Sequence, residues 1–265
     1  MTAWLPMLAG WPAGGLLAAA IIVAAAGVVR GFAGFGFSAL CVAGLSLFLP
    51  PQQVVPPIFV LEVLASLTLL RGALRDAHWG WLSWLVLGNL VCIPVGIALL
   101  AWLPESALRL LIGALLLLAA VLLRSGLRLA LAPTRLTRLA TGLVSGLVNG
   151  VAAIGGIPVA LMLSTTALPP AVLRGTLIVL FLFTDLYALA WAALLSLGAA
   201  QGEAGHGLLG RETALWALWL APAMLVGIAV GQRAFQGVSP QRFRRAVLNV
   251  LIALAALTVL RSLLG

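Results

Sequence analysis

A glycine cluster interrupts an apolar run twice in this chain, and the two copies share one register. The first reads Gly27-Val-Val-Arg30-Gly31-Phe-Ala-Gly34-Phe-Gly36-Phe37 and continues to Leu49-Pro50-Pro51. The second reads Gly146-Leu-Val-Asn149-Gly150-Val-Ala-Ala-Ile-Gly155-Gly156 and continues to Leu168-Pro169-Pro170. An offset of 119 residues pairs Gly27 with Gly146, Gly31 with Gly150, Gly36 with Gly155, and the two Leu-Pro-Pro triplets, without a gap. Glycine inside a helix is about 1 kcal/mol worse than alanine, so each cluster reads as a helix break. Two related halves, each opening on a broken helix, point in a membrane to a substrate site.

The membrane setting follows from bulk composition. Hydrophobic residues make up 63% of the chain and charged residues 8%, against roughly 25% charged in soluble domains. Apolar runs lie at 13–30, 36–49, 53–70, 79–101, 105–123, 138–151, 156–167, 171–198, 212–232 and 243–263. The longer ones suffice for a hydrocarbon core of roughly 30 Å. Pro104, Pro133 and Pro240 stand at or before helix starts. The longest polar interval, 198–212, is only a loop, so residues 1–265 form a single transmembrane domain. Three runs, 36–49, 138–151 and 156–167, are short, reaching some 18–21 Å at about 1.5 Å per residue. The stretches 13–49 and 138–167 are therefore read as helical hairpins with glycine tips, re-entrant or nearly so, each returning to the side it entered from.

Charge placement tests that topology. The net charge of +9 comes from arginine, since the chain has no lysine. These arginines sit in short loops between apolar runs, where they orient a membrane protein rather than bind nucleic acid. If the hairpins return, the loops 71–78, 124–138 and 233–245 share one side. They carry Arg71, Arg75, Arg124, Arg128, Arg135, Arg138, Arg233, Arg242, Arg244 and Arg245 against one acid, Asp76. The opposite side holds Arg109, Arg211 and Arg261 against Glu105, Glu203 and Glu212. The arginine side is then cytoplasmic and both termini lie outside. Each half makes an odd number of crossings, so the halves are inserted upside down relative to each other. The expected fold is an all-α inverted repeat, 13–124 and 136–263, each half a glycine-tipped hairpin plus three transmembrane helices. Gly96-Ile-Ala and Gly227-Ile-Ala, matched at a shifted offset, support it.

Several chemistries are not expected. Cys41 and Cys92 fall within apolar segments and read as small hydrophobes. His78 and His206 have no ligand-like spacing, so neither a metal nor another cofactor is implied. The N-terminus lacks the basic region of a cleaved signal peptide. No nucleotide-binding motif is present. Trp4, Trp11, Trp79, Trp81 and Trp102 fall near segment ends and read as an interfacial belt.

A helix that begins within the membrane presents unpaired N–H groups and the positive end of its dipole, which together hold anions. The N-termini after Gly36 and Gly156 are the candidate sites, with Gly31, Gly34, Gly150 and Gly155 letting backbone and ligand approach. The alternative is that these glycines serve helix packing, as scattered ones such as Gly88 and Gly113 do. Four ionisable residues lie outside the loop count: Arg30, Glu62, Arg174 and Asp185. A charge in the bilayer costs roughly 2.5–3.5 kcal/mol on insertion scales and defaults to a functional candidate. Arg30 either pairs bidentately with a substrate anion or is one more cytoplasmic arginine. Arg174 either joins the site or snorkels. Asn149, at the position equivalent to Arg30, either donates to substrate or caps the tip. The offset matches Glu62 with Phe181 and Ser66 with Asp185, so the two acids lie on equivalent helix faces. They suit proton coupling, or else form structural ion pairs with Arg30 or Arg174. Asn89 and Thr184 read as hydrogen-bonding glue between helices.

The Gly-Phe-Ala-Gly-Phe-Gly-Phe of 31–37, the Ala-Ile-Gly-Gly-Ile-Pro of 153–158 and the Leu-Arg-Gly-Thr-Leu of 173–177 resemble the sulfite exporter TauE/SafE family. The resemblance spans nearly the whole chain. It implies a bacterial inner-membrane transporter, associated with export of sulfite, sulfoacetate or related small anions, and in some members with uptake of other organic acids. Many relatives carry more consecutive glycines or a Gly-Gly-Pro in the second motif, where Ile157 here precedes Pro158. The leading expectation is a secondary transporter of a small anion, working by alternating access and with protons as a possible coupling ion. A passive anion channel on the same hairpins is the alternative. A membrane-embedded transferase would need a surface cluster of His, Asp or Cys beyond Asp76, His78 and His206.

Overall fold

The computed structural model describes residues 13–125, 134–163, 166, 168–200, 208–234 and 240–264. Trp4, Trp11, Arg128, Pro133, Glu203 and His206 lie outside the described residues, as do the side chains of Arg242 and Arg244. Among the described residues the protein is all α-helix. The first half contains α1 (Ala13–Ala33), α2 (Phe37–Leu45), α3 (Pro51–Asp76), α4 (Trp79–Trp102) and α5 (Glu105–Ser125). The second contains α6 (Arg135–Ala152), α7 (Gly156–Leu163), α8 (Pro170–Ala200), α9 (Arg211–Ala234) and α10 (Pro240–Leu264). Seven of these, α1, α3, α4, α5, α8, α9 and α10, are long and apolar enough to cross a membrane. The protein is thus a multi-span membrane protein. α2 and α7 reach only about 12–14 Å at 1.5 Å per residue. α6 falls short because its first turns carry Arg135, Thr137, Arg138 and Thr141.

Helix boundaries follow local chemistry. Pro50 precedes α3 and Pro51 opens it, where a proline forfeits no hydrogen bond. α3 runs past the apolar stretch 53–70 to Asp76, through Arg71 and Arg75. The run 36–49 is helical only to Leu45 and then turns.

Both breaks are closed in the same way. Gly34 N–H donates to Arg30 O at 2.8 Å, and at the aligned position Ala153 N–H donates to Asn149 O at 2.7 Å. Both residues are left-handed, Gly34 at φ +80° and Ala153 at φ +56°. This is the usual way to end a helix, and glycine is its usual occupant. Gly36, also left-handed at φ +90°, caps the N-terminus of α2.

The packing exchanges the halves. α1 packs on α9 as α6 packs on α4; α3 packs on α9 as α8 packs on α4; α3 crosses α8, and α5 packs on α10. His78 N–H, in the link just past the end of α3, donates to Thr176 Oγ1 near the start of α8. Farther along α8, Phe181 lies over Arg30, whose guanidinium binds Ser66, farther back in α3. α3 and α8, equivalent in the repeat, therefore run antiparallel.

Glycines make the crossings close. Gly27 and Gly31 abut Gly227, Ile228 and Met224, and Gly142, Gly146 and Gly150 abut Gly88, Asn89, Ile93 and Gly96. These are small-xxx-small interfaces, the means by which membrane helices gain contact without a hydrophobic driving force. Gly113 likewise lies against Val259. Trp79 and Trp102 are more than half exposed at helix ends, but Trp81 is buried under Arg138, whose guanidinium carbon stands 4.4 Å from the ring centroid. Trp81 is a packing residue and not part of a belt. Cys41 is buried in α2 and Cys92 half-buried in α4.

Candidate functional site

Arg30 sits in the last turn of α1 with no solvent exposure. Its Nη1 donates to Gly34 O at 2.7 Å, and its Nη2 donates to Ser66 Oγ at 2.7 Å. The same Nη2 lies 3.0 Å from Glu62 Oε2. On one face its guanidinium stacks on Phe181, 4.5 Å from the ring centroid. Removing one partner of such a buried pair costs about 3–5 kcal/mol, because the other charge is left uncompensated. The arginine is enclosed by α1, α3 and α8 and is not one of the exposed arginines at the helix ends.

Glu62 takes the place expected for a ligand. Its Oε1 accepts from Ser38 N–H at 3.3 Å, in the first turn of α2. The carboxylate therefore rests on the N-terminus that follows the first break, held from the other side by Arg30.

At the second break the corresponding position is neutral. Asn149 Nδ2 donates to Asp185 Oδ1 at 2.9 Å, and Asn149 Oδ1 accepts from Gly155 N–H at 3.2 Å. Ser145 Oγ donates to Gly155 O at 2.7 Å and lies 3.3 Å from Asn89 Oδ1. Asp185 is 1% exposed, and its Oδ2 has no hydrogen-bond partner among the described residues. Phe181 connects the two breaks, since its ring fills the space beside the Gly156 Cα while its face covers Arg30.

Arg174, the fifth residue of α8, is half-buried and turns toward α1. Its Nη2 donates to Gly31 O at 2.8 Å, and its Cγ fills the place where a side chain on Gly34 would lie. It borders two cavities. One of about 290 Å³ is shared with Thr68, Asp76 and Gln232. The other, about 360 Å³ and mainly apolar, is lined by Phe35, Gly36 and Ile157.

Arg30, Glu62, Gly34, Gly36 and Arg174 gather at the first break; Asn149, Gly155, Gly156 and Asp185 gather at the second. Gly31 and Gly150 face the helix crossings with α9 and α4. Glu62 forms an ion pair with Arg30, whereas Asp185 pairs with an amide. Asn89 joins α4 to α6 through Ser145, while Thr184 bonds back to Phe181 O on its own helix. Sequence reasoning did not assign Phe181, Ser66, Ser38 or Ser145 to the site. The 119-residue offset carried the signal for two of them, because Phe181 and Ser66 are the counterparts of Glu62 and Asp185. Among the described residues no group of His, Cys, Asp and Glu is arranged to hold a metal ion.

Buried charges collected at two helix breaks, within a bundle of membrane-crossing helices, are the construction of a membrane transporter. The family model described as sulfite exporter TauE/SafE matches residues 18–258. The chain belongs to this family, and with it to the transporters and not the enzymes. It is also similar to the probable sulfite/organosulfonate exporter TauE of Cupriavidus necator, with 28% identity over 239 residues covering 87% of this chain and 88% of that protein. No solved structure matches the chain.

Proposed function

We propose that this protein is a secondary exporter of a small anion, sulfite or an organosulfonate, working by alternating access around the two helix breaks. The observation that carries this is the fully buried Arg30 beside the N-terminus of α2. A fixed cation and a ring of N–H groups held out of water favour an anionic head group over a neutral one. The substrate class and the outward direction rest on the similar exporter of Cupriavidus necator.

In this reading Arg30 and the backbone at Gly34, Gly36, Gly155 and Gly156 bind the anion. Asn149 donates a hydrogen bond to it, and Arg174 guards the cavity on the arginine-rich side. Gly31 and Gly150 let α1 and α6 approach their partners closely enough to aim the breaks. Glu62 carries the coupling proton, and Asp185 is the second buried acid, bonded to Asn149 at the other break. The antiparallel course of α3 and α8, and the exchange of packing partners, support an inverted repeat whose halves rock about the breaks. The arginine-rich loops support a bacterial inner-membrane protein with both termini outside the cytoplasm.

The test is efflux of sulfite and ethanesulfonate from proteoliposomes. Saturable efflux that is lost in Arg30→Lys, a variant that keeps the charge but not the planar fork, is the expected result. Non-saturating flux would instead favour an anion channel. Unchanged efflux in Arg30→Lys would remove Arg30 from the site.

A further inference from the structure

The first anion site is already filled by the protein itself. The Glu62 carboxylate makes both contacts that a bound sulfonate would make there, a backbone N–H in the first turn of α2 at Ser38 and the guanidinium of Arg30. It is 1% exposed and belongs to α3, a different helix from both of its partners. We propose that Glu62 is a tethered stand-in for the transported anion, and that substrate binds to Arg30 only as Glu62 takes up a proton and withdraws. This rests on the reading of the first break as the substrate site.

Charge balance at Arg30 favours one anion at a time. With neither a substrate nor Glu62 on it, Arg30 would be an unpaired cation inside the bilayer, several kcal/mol uphill. With both on it, two anions would crowd one guanidinium. One anion at a time is the stable arrangement. In the empty protein Glu62 supplies it, which lets the empty site reorient. In the loaded protein the substrate supplies it, and Glu62 is carried as the neutral acid. The exchange balances as one anion and one proton bound together for each carboxylate displaced. A singly charged anion then crosses with its proton and no net charge, so export is driven by the sum of the anion and proton concentration gradients, and acid inside favours it while acid outside opposes it.

Other titratable groups face Glu62 and must be separated from it. Arg30 approaches from α1, Cys41 from α2 and Asp185 from α8. α9, also packed on α3, carries its charges at its ends, at Arg211, Glu212 and Arg233, and α4 carries none. α5 and α6 bear theirs in their terminal turns, at Glu105, Arg109, Arg124, Arg135 and Arg138. Asp185 is thus the second acid to be controlled.

The experiment is calorimetric binding of ethanesulfonate to the purified full-length protein between pH 5.5 and 8.5, a range over which this probe keeps its single charge. In the wild type, affinity should fall about tenfold per pH unit once Glu62 is ionised in the empty protein. One proton should be taken up per anion bound, read as buffer-dependent heat. Glu62→Gln should bind with an affinity independent of pH and without proton uptake, while Asp185→Asn should keep the wild-type slope. Should Glu62→Gln not fold, the wild-type proton count decides, and a value of zero overturns the proposal. Retention of the slope in Glu62→Gln also overturns it. Arg30-dependent binding that ignores pH defeats the tethered carboxylate alone. Failure of both ethanesulfonate and sulfite to bind the wild type defeats the substrate site with it.

Discussion

Asn149 is bonded to Asp185, thirty-six residues further along the chain, and Arg30 is bonded to Ser66 across the same separation. The two bonds are one bond in two copies, with the charge moved from the donor in the first half to the acceptor in the second. The expected consequence is a graded response at position 185. Asp185→Asn keeps an acceptor for the Asn149 amide and should leave the protein folded with a melting temperature within a few degrees of wild type. Asp185→Leu leaves that amide buried without a partner, at about 1–3 kcal/mol. Thermal unfolding in detergent should therefore rank wild type and Asp185→Asn together and well above Asp185→Leu.

Arg30 and Glu62 should show the asymmetry of a buried ion pair. Arg30→Leu strands the Glu62 carboxylate, and Glu62→Leu strands the guanidinium; each should destabilise by about 3–5 kcal/mol. The double variant Arg30→Leu/Glu62→Leu removes both charges and should recover most of that loss, giving a coupling energy of comparable size. Its transport should stay at background, because the anion's cation has gone. Melting curves and proteoliposome efflux on the three variants check both halves of the expectation. Transport by the double variant would place the anion elsewhere.

Much of this architecture was legible in the chain because membrane folding is dominated by length and polarity. Among the described residues each of the ten apolar runs became a helix, since a backbone in lipid must satisfy its own hydrogen bonds. The breaks were legible because glycine at 34, 36, 155 and 156 announces them. Which glycines bend the chain and which pack it was less plain, since both uses call for the same residue. Only the contacts of Gly31 with Ile228 and of Gly150 with Ile93 and Gly96 separate them. The partner of each buried charge was also hidden. Arg30 reaches Glu62 and Ser66 across thirty-odd residues and Phe181 across the repeat, and such pairings depend on helix rotation, which composition does not encode. Trp81 shows the same gap, being near a segment end yet turned inward beneath Arg138.

Phe181 and Gly156 should behave as one unit. The ring occupies the space that a methyl group on Gly156 would need, and its face is held against Arg30. Gly156→Ala should push the ring off the guanidinium and reduce efflux at least tenfold. Phe181→Leu alone should cost the stacking contact, about 1–2 kcal/mol when desolvated. Combining them gives the methyl group room, so the double variant should be better than the sum of the single losses by about 1 kcal/mol or more, within the range found for touching residues. Additive losses in a double-mutant cycle on unfolding would show that the ring and the second break are independent.

The left-handed residue that closes each broken helix differs between the halves, being Gly34 in the first and Ala153 in the second. An L-residue in this region costs roughly 1–2 kcal/mol that glycine avoids, while glycine gives back about 0.5–1 kcal/mol through the freedom of its unfolded chain. Ala153→Gly should therefore be neutral to stabilising by up to about 1 kcal/mol, visible as an equal or higher melting temperature. The reverse change at the aligned position should be harmful. Gly34→Ala acquires the left-handed strain and also sets a methyl group 2.5 Å from Arg174 Cγ, which must shift and surrender its bond to Gly31 O. The expected loss is larger than the gain at 153 and extends to transport, because Arg174 lines both cavities. Arg174→Ala in the Gly34→Ala background separates the two contributions. If it restores the melting temperature, the clash with Arg174 is the greater term; if it does not, the backbone strain is.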